Sequence, residues 1–485
     1  MEPIVHNDLR GFIDEAKKIS QWREIEGADW DKEIGSLIEA TAELIPQAPM
    51  LLFDRIKGYP AGFRILSLAL ASYKRVAVAL GLPTDINKLE VMRLAARKLR
   101  AARPIAPREV ESSPLMENVM TGDRVDLFKF PALRFHEHDG GRYLGTGDTV
   151  INADPGSDFI NMGTYRMQLH DADHLGLWMS PGQQGRLICM KYWEQGKSCP
   201  VVATFGQHPL QFLVSYSKFP WGQSELEITG GLMGRPMDII RGPVTGLPIP
   251  AGAEIAIEGE VPPPDIESHD EGPFGEWPGY YSGGTLGTGE PQPVIRVKAI
   301  YHRNDPILQD EAPLWFGAVK MDLPVRAGVL WDQLISAGIQ DVVGVFYHTP
   351  FLWVIAIKQR YAGHAKQAGL AALSCSASAR NGRYVVIVDE DIDPSNMKEV
   401  MWAMMTRVEP KTDIEIIDNC WSTPLDPRMS PEKKDSKDYT NSRAIFYAVR
   451  PFEWRDQFPK VSRSSRELRE KAIKKFQNII PFPQF

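Results

Sequence analysis

The sequence predicts an α+β protein of several domains, and three observations predict it. Residues 8–102 carry apolar side chains at helical spacing, residues 117–318 break into short alternating runs separated by Gly, Pro and Asp, and residues 319–460 alternate helix and strand patterns. At 485 residues the chain exceeds what one hydrophobic core ordinarily supports, so two or three domains are expected. The boundaries are placed at 1–116, 117–318 and 319–460, followed by a helix and tail over 461–485.

In the first block the periodic segments 33–45, 63–81 and 87–102 are expected as helices, and Arg103-Pro-Ile-Ala-Pro-Arg ends the pattern. The most apolar stretch, 63–82, is interrupted by Lys74 and Arg75, so it reads as an amphipathic helix on its own domain's core rather than a membrane span. In the second block 159–169, 175–179, 201–205, 255–261 and 294–301 read as strands, which predicts a barrel interrupted by helical inserts near 186–196 and 208–217. In the third block helices near 326–338, 363–373 and 396–407 alternate with strands at 341–346, 351–357, 384–389 and 413–417. A charged helix over 462–479 closes the chain, packed on its own chain or on a neighbour.

Composition removes several function classes. Hydrophobic residues at 43% and charged ones at 24% are those of a globular protein, not a disordered one. A formal net charge of -7 without a compensating Lys/Arg block gives no footprint for a nucleic-acid backbone. Cys189, Cys199, Cys375 and Cys420 are too few and scattered for a disulfide framework or a zinc cluster, and the N-terminus lacks the layout of a secretory signal, so the cytoplasm is the expected compartment, with no membrane partner. Gly196-Lys197-Ser198 lacks the first glycine of a phosphate-binding loop, and neither Gly-x-Ser-x-Gly nor a dinucleotide-binding Gly-x-Gly-x-x-Gly is present.

The most informative segment is 267–281, Glu-Ser-His-Asp-Glu-Gly-Pro-Phe-Gly-Glu-Trp-Pro-Gly-Tyr-Tyr. Gly272, Pro273, Gly275, Pro278 and Gly279 forbid helix, and four carboxyls crowd onto irregular backbone. Such carboxyls repel, which should raise the pKa of at least one and let it carry a proton near neutrality, as a general acid must. Phe274, Trp277, Tyr280 and Tyr281 interleave with the acids, so part of the loop should be buried rather than a solvated turn. Upstream, 161–168 reads as one strand with Asn161, Gly163 and Tyr165 on one face and Met162, Thr164 and Arg166 on the other. An inward Arg166 needs an anion, and Glu271 and Glu276 could supply it.

Five pieces together resemble the UbiD family of prenylated-flavin-dependent decarboxylases: Asn161-x4-Arg166, Asp173-His174-Leu-x-Leu-x3-Pro181, Ser224-Glu225, Glu271-Gly-Pro-Phe-Gly-Glu276 and Asn396-Met-Lys398-Glu-Val-Met-Trp402. The likeness runs from about residue 10 to 460. It implies an N-terminal α-rich cap, a central split β-barrel that binds prenylated FMN, and a C-terminal α/β domain used in homodimer or higher contacts. It also implies non-oxidative, reversible decarboxylation through a covalent adduct with prenylated FMN, which accepts the electrons released with CO2. Glu276 is then the proton donor, oriented by Arg166 and Glu271, and a flavin prenyltransferase supplies the cofactor.

By the same resemblance Asn161, Thr164, Arg166, Gln183, Glu225 and Lys398 contact the cofactor. Asn161, Glu225 and a third ligand hold Mn2+ or Mg2+; that third position, usually histidine, falls on Gln183, with Gln184 an alternative register. Ser215 and Ser217 fall where the family binds K+ or Na+, or else they simply end a helix, and Lys398 matches a phosphate-contacting lysine or is a surface residue. Leu177, Met179, Trp277, Trp315 and Phe316 fall near the reacting carbon, and a slot with two tryptophans and a phenylalanine favours a flat aromatic or heteroaromatic acid, with cinnamic-type acids as the alternative.

Segment 421–430 is polar and turn-rich and reads either as a lid or as an ordinary loop after the last strand. His170, His174 and His208 read as structural histidines, since no two are spaced as a metal pair. A reductase using plain FMN on the same barrel is the alternative function, but no nicotinamide site is evident and the acidic pair would be unexplained. A non-enzymatic flavin scaffold would have no need of Arg166, Glu271 and Glu276 together.

Overall fold

A computed structural model of the chain describes residues 4–283, 289–314, 324–348, 350–462 and 464–479. The first block contains helices Leu9–Lys18, Glu33–Leu44, Tyr73–Leu80 and Lys88–Ala101, with Asp8 and Asn87 capping two of them through side-chain acceptors. It is less purely helical than expected. Strands Trp22–Glu26, Met50–Asp54 and Arg64–Ser67 form a sheet, and a fourth strand, Ile307–Asp310 from the end of the second block, completes it in parallel with Arg64–Ser67.

The expected helix over 63–81 is therefore a strand followed by a shorter helix. An apolar run that is buried all round carries no periodicity to separate the two. Arg75 is the second correction: it is fully buried, donating to the carbonyls of Ala69 (2.9 Å), Ala48 (2.8 Å) and Leu68 (2.8 Å) and to the Gln21 side chain (2.7 Å).

In the second block the described residues form a nine-stranded sheet. Its path runs Arg142–Gly145, Met167–Leu169, His174–Gly176, Val294–His302, Ile255–Val261, Cys199–Phe205, Thr149–Ala153 and Ile160–Gly163, with Asn118–Thr121 paired to Val294–His302 off that path. The connection from Gly163 to Met167 forces this sheet to curl. Four Cα steps reach at most about 14 Å, whereas six strand spacings across a flat sheet would need about 29 Å. The result is a half-barrel whose two edges approach one another at residues 164–166. The single strand expected over 161–168 is accordingly two strands with a break at the residues that cross the gap.

The third block is a five-stranded sheet in the order Val342–His348, Leu352–Ile357, Tyr384–Asp389, Thr440–Ala448, Ile414–Trp421. Helices Pro324–Ser336, His364–Ser374 and Met397–Arg407 accompany it. Strand Thr440–Ala448, which the sequence pattern did not show, lies inside the sheet, parallel to Tyr384–Asp389. Its polar start and its buried Arg443 disguise it. Helix Pro324–Ser336 packs on Lys88–Ala101 so closely that a Cβ on Gly328 would lie 3.2 Å from the Ala96 Cα. One apolar core accordingly joins Phe12 and Val76 of the first block to Leu330, Trp353 and Ile445 of the third. Helix Arg466–Phe476 leaves Leu468 and Phe476 exposed.

Arg75→Met should destabilise the fold by at least about 3 kcal/mol, since it strands several buried acceptors worth about 1–3 kcal/mol each. A denaturant or thermal unfolding transition unchanged by the substitution would refute this. His208 is buried, accepts from the Leu210 amide at 3.1 Å and stacks on His6 at 4.6 Å; burial first, then the His6 and Arg235 charges, hold its pKa well below the ordinary value of 6.5. The unfolded chain takes up a proton that the folded chain refuses, so this contribution to stability is complete above pH 6.5 and is lost as the pH falls below it. His208→Asn, which keeps the helix-capping acceptor, should lose less stability than the native protein on acidification from pH ~7 to ~5.

Candidate functional site

Arg166 sits where the half-barrel edges meet, and its carbonyl accepts from the Trp178 amide at 2.9 Å. Its side chain is buried. Nε donates to Glu271 Oε1 at 2.7 Å, Nη2 to Glu271 Oε2 at 2.6 Å, and Nη1 to the Glu276 carboxylate. The Trp178 and Phe274 rings flank the guanidinium at 4.7 and 4.9 Å. Burial works against its charge, but the two carboxylates more than offset this and raise its pKa. The fork geometry allows the guanidinium to serve one carboxylate with two nitrogens while leaving the second with a single contact. The inward Arg166 and its two acidic partners thus stand as the sequence predicts.

The acidic loop is held by backbone bonds. Gly272 has φ +90° and donates to Gln168 Oε1 at 2.8 Å, Gly275 donates to Asp139 Oδ1 at 3.1 Å, and Gly140 donates to the Pro273 carbonyl at 2.7 Å. Asp139 also accepts from the amides of Phe135 and His136, which fixes it as a bracket between two loops. Phe274 is buried and Trp277 half-buried, so part of the loop is buried as expected, while Tyr280 and Tyr281, past the turn at Pro278-Gly279, are exposed.

Glu276 faces a cavity of about 440 Å³ between the half-barrel and the third block. Asn161, Thr164, Arg166, Gln183, Glu225, Ser215, Ser217 and Trp277 line it, as anticipated, whereas Glu271 stands behind Arg166. Glu225 accepts from the Met162 amide at 3.0 Å, has no cationic partner among the described residues, and burial pushes its pKa up to about 7. Asn161 uses its amide nitrogen on Asn152, at 3.0 Å. Gln183 Oε1 accepts from the Ser180 amide at 2.8 Å, while Gln184, also in the lining, donates through its nitrogen to the Phe219 carbonyl at 3.0 Å. Thr164 Oγ1 and Ser215 Oγ lie 2.9 Å apart, and Ser217 donates to the Leu213 carbonyl.

Three expected positions fall elsewhere. Leu177 and Met179 are buried in the apolar core, not in the cavity lining, which instead takes Trp178 between them. The extended backbone alternates faces, so the assignment is wrong by one residue. Lys398 is exposed in the first turn of Met397–Arg407 and does not line the cavity. A lysine there is solvated, as the general preference of the residue type favours. Trp315 and Phe316 lie outside the described residues.

The fold also supplies groups that sequence reasoning missed. Lys218, Arg326 and Arg380 converge on the cavity, and Arg380 donates to Ser180 and, at 3.0 Å, to Thr423. Burial, then the neighbouring arginines, holds the Lys218 ammonium well below its ordinary pKa, and burial lowers Arg380 to about 10. Among the described residues the Nε atoms of Arg326 and Arg380 have no hydrogen-bond partner. Trp421 and Leu425 of the segment read as a lid or loop also line the cavity, but that segment precedes the additional strand Thr440–Ala448 rather than following the last one.

Comparison with known families decides the lineage. Models of the 3-octaprenyl-4-hydroxybenzoate carboxy-lyase N-terminal, Rift-related and C-terminal domains match residues 13–95, 108–313 and 321–448. The chain belongs to the UbiD family. A phenolic acid decarboxylase from Streptomyces sp. (strain D7) is 32% identical over 446 residues, covering 90% of this chain and 91% of that protein. The closed form of vanillic acid decarboxylase from Sedimentibacter hydroxybenzoicus superposes with TM-score 0.83 at 30% identity, covering 97% of this chain and 99% of the other. An evolved dimeric form of the UbiD-class enzyme HmfF from Pelotomaculum thermopropionicum, in complex with prFMN, gives TM-score 0.78 at 25% identity over 96% and 98% of the two chains. As a UbiD-family protein the chain is a carboxy-lyase. Among the described residues no helix is long and apolar enough to cross a membrane.

A Cβ on Gly140 would lie 1.8 Å from the Gly272 carbonyl oxygen, so Gly140→Ala must displace the acidic loop. Carboxy-lyase turnover should fall by about 10²-fold, the cost of an ångström-scale misplacement of reacting groups. Native-like turnover in that variant would show that the loop position is not critical.

Proposed function

We propose that the cavity holds prenylated FMN and that the protein decarboxylates an aromatic or heteroaromatic acid, reversibly and without net oxidation, with Glu276 as proton donor. The observation that carries this reading is the asymmetric clamp: Arg166 takes Glu271 with two nitrogens and Glu276 with one, and only Glu276 of the two acids faces the cavity. Glu271 is the permanent counter-ion. Glu276, held by one Arg166 nitrogen and by the Ser282 hydroxyl at 3.4 Å, faces the cavity and is placed to release a proton into it and recover it.

The residues lining the cavity fit the cofactor. The Arg326 and Arg380 Nε atoms, unpartnered among the described residues, and half-buried Lys218 suit a phosphate. Glu225, buried without a cation, together with the Asn161 carbonyl, suits a divalent ion such as Mn2+ or Mg2+. Gln184 is the better third ligand, because the carbonyl oxygen of Gln183 is engaged by Ser180. Ser215, Ser217 and Thr164 suit a monovalent ion such as K+ or Na+. When bound, prenylated FMN supplies an electron sink for the pair left behind as CO2 departs. Its maturation requires a flavin prenyltransferase, and the related HmfF dimer supports a homodimer.

The protein side of the reaction is positional and electrostatic. Arg166 orients the reacting edge and holds Glu276 at the cavity wall. Trp178, Trp277 and Trp421 wall the space above it with flat apolar faces, which exclude water and select a planar substrate. The similarity to phenolic and vanillic acid decarboxylases supports an aromatic acid.

Glu276→Gln in protein co-produced with a flavin prenyltransferase and handled without air should lower CO2 release by about 10²–10⁴-fold while leaving the cofactor spectrum intact. The native protein should release CO2 from at least one aromatic or heteroaromatic acid of a panel that includes cinnamic acids. Full turnover in the variant would refute the donor role. Release from cinnamic acids alone would overturn the substrate class, and nicotinamide oxidation with plain FMN would overturn the reaction.

A further inference from the structure

Outside the cavity a second cluster of potential ligands forms on the barrel surface. His174 Nε2 and His269 Nε2 each lie 3.3 Å from the same oxygen, Glu267 Oε1, and the three ligand atoms fall within 4.8 Å of one another. The imidazole rings of His174 and His269 stack at 5.2 Å. None of the three lines the catalytic cavity. Spacing along the chain concealed the cluster, because His174 comes from strand His174–Gly176 and His269 from strand His269–Glu271.

The hydrogen bonds around His174 show what belongs between these atoms. Its Nδ1 lies 2.9 Å from Asp171 and 3.0 Å from Asp173, so in the neutral ring the single N–H is directed to those carboxylates. Nε2 then presents a lone pair to a carboxylate oxygen 3.3 Å away. Two acceptors at that distance repel unless a cation lies between them. Asp171 is itself fixed by the amides of Asp173 and His174, at 3.0 and 2.8 Å, and a carboxylate on the far nitrogen of a histidine is the support that orients imidazole ligands in metal sites. Tetrahedral ligation with bonds of about 2.1 Å places ligand atoms about 3.4 Å apart, close to the 3.3 Å that separates Glu267 Oε1 from each histidine nitrogen.

The local charge agrees. Three carboxylates, Asp171, Asp173 and Glu267, surround His174, and the balancing cation in contact is Arg296, which bonds the other oxygen of Glu267 and leaves Oε1 to the histidines. Arg296 is shared with Glu260 at 4.0 Å, and Lys298 pairs with Glu260 at 3.3 Å.

We propose that His174, Glu267 and His269 form a site for a borderline divalent metal of the zinc type, which clasps the segment leading into the acidic loop to the half-barrel. Two imidazoles and one carboxylate suit zinc or cobalt better than the hard cations that oxygen ligands select, and a water completes the set. The site is independent of the reading of the catalytic cavity. His269 precedes Glu271 by two residues, so the clasp ties the barrel surface to the counter-ion of Arg166.

The test uses untagged protein stripped with a chelator, loaded with zinc and passed through gel filtration. The native protein should retain one equivalent of zinc more than the His174→Ala/His269→Ala variant and more than Glu267→Gln, and zinc should raise the unfolding temperature of the native protein alone. Equal retention in all three proteins would overturn the site and leave a protonated His174 as the cation between the acceptors. Should a variant fail to fold, cobalt(II) added to the stripped native protein decides: a visible tetrahedral band that zinc displaces supports the site, and its absence overturns it.

Discussion

A guanidinium buried in a barrel seam is the constraint on which the rest of the structure depends. Taking Arg166 out of water is tolerable only with its charge compensated and its donors occupied. Removing either partner of such a buried pair costs about 3–5 kcal/mol. The half-barrel carries Arg166 into the seam, and the loop from Glu271 to Glu276 answers it from the opposite side. Asp139, Gly140 and Gln168 then serve the loop rather than the arginine, so the requirement spreads outward from one side chain to two further segments of the chain.

The same logic orders the cavity. Its lining combines the carboxylates of Glu225, Glu311 and the Arg166-bound Glu276 with the cations Lys218, Arg326 and Arg380. A pocket lined by fixed charges of both signs orients a charged ligand before any contact is counted. Arg326 and Arg380 come from the third block, which one apolar core, with Phe12 of the first block, Phe212 of the second and Leu330 of the third among its members, ties to the other two.

What the sequence discloses follows from how local each feature is. The acidic loop is legible because Gly272, Pro273 and Gly275 exclude helix within a few residues of the carboxyls. The Arg166 pairing follows from charge balance, and the α/β alternation of the third block from periodicity. Failures occur where the deciding information is elsewhere in the chain. Leu177 and Met179 differ from Trp178 only in parity, which one residue of slippage inverts. Residues 65–72 are buried without interruption, so period carries no signal there. Arg380 reaches the cavity through contacts with Ser180 and Thr423, far apart in the chain, and no local pattern marks it.

The strand Ile307–Asp310, laid beside Arg64–Ser67, has a consequence for biosynthesis. The N-terminal sheet cannot be completed until the ribosome has made about two-thirds of the chain. At about 5–20 residues per second, the intervening 240 or so residues take roughly 10–50 s. During that interval the edge of Arg64–Ser67 that will receive Ile307–Asp310 is an unpaired ladder of amides and carbonyls, the kind of template that recruits stray strands. A nascent chain of this protein therefore has a stage, set by topology alone, at which chaperone shielding of the first block matters most.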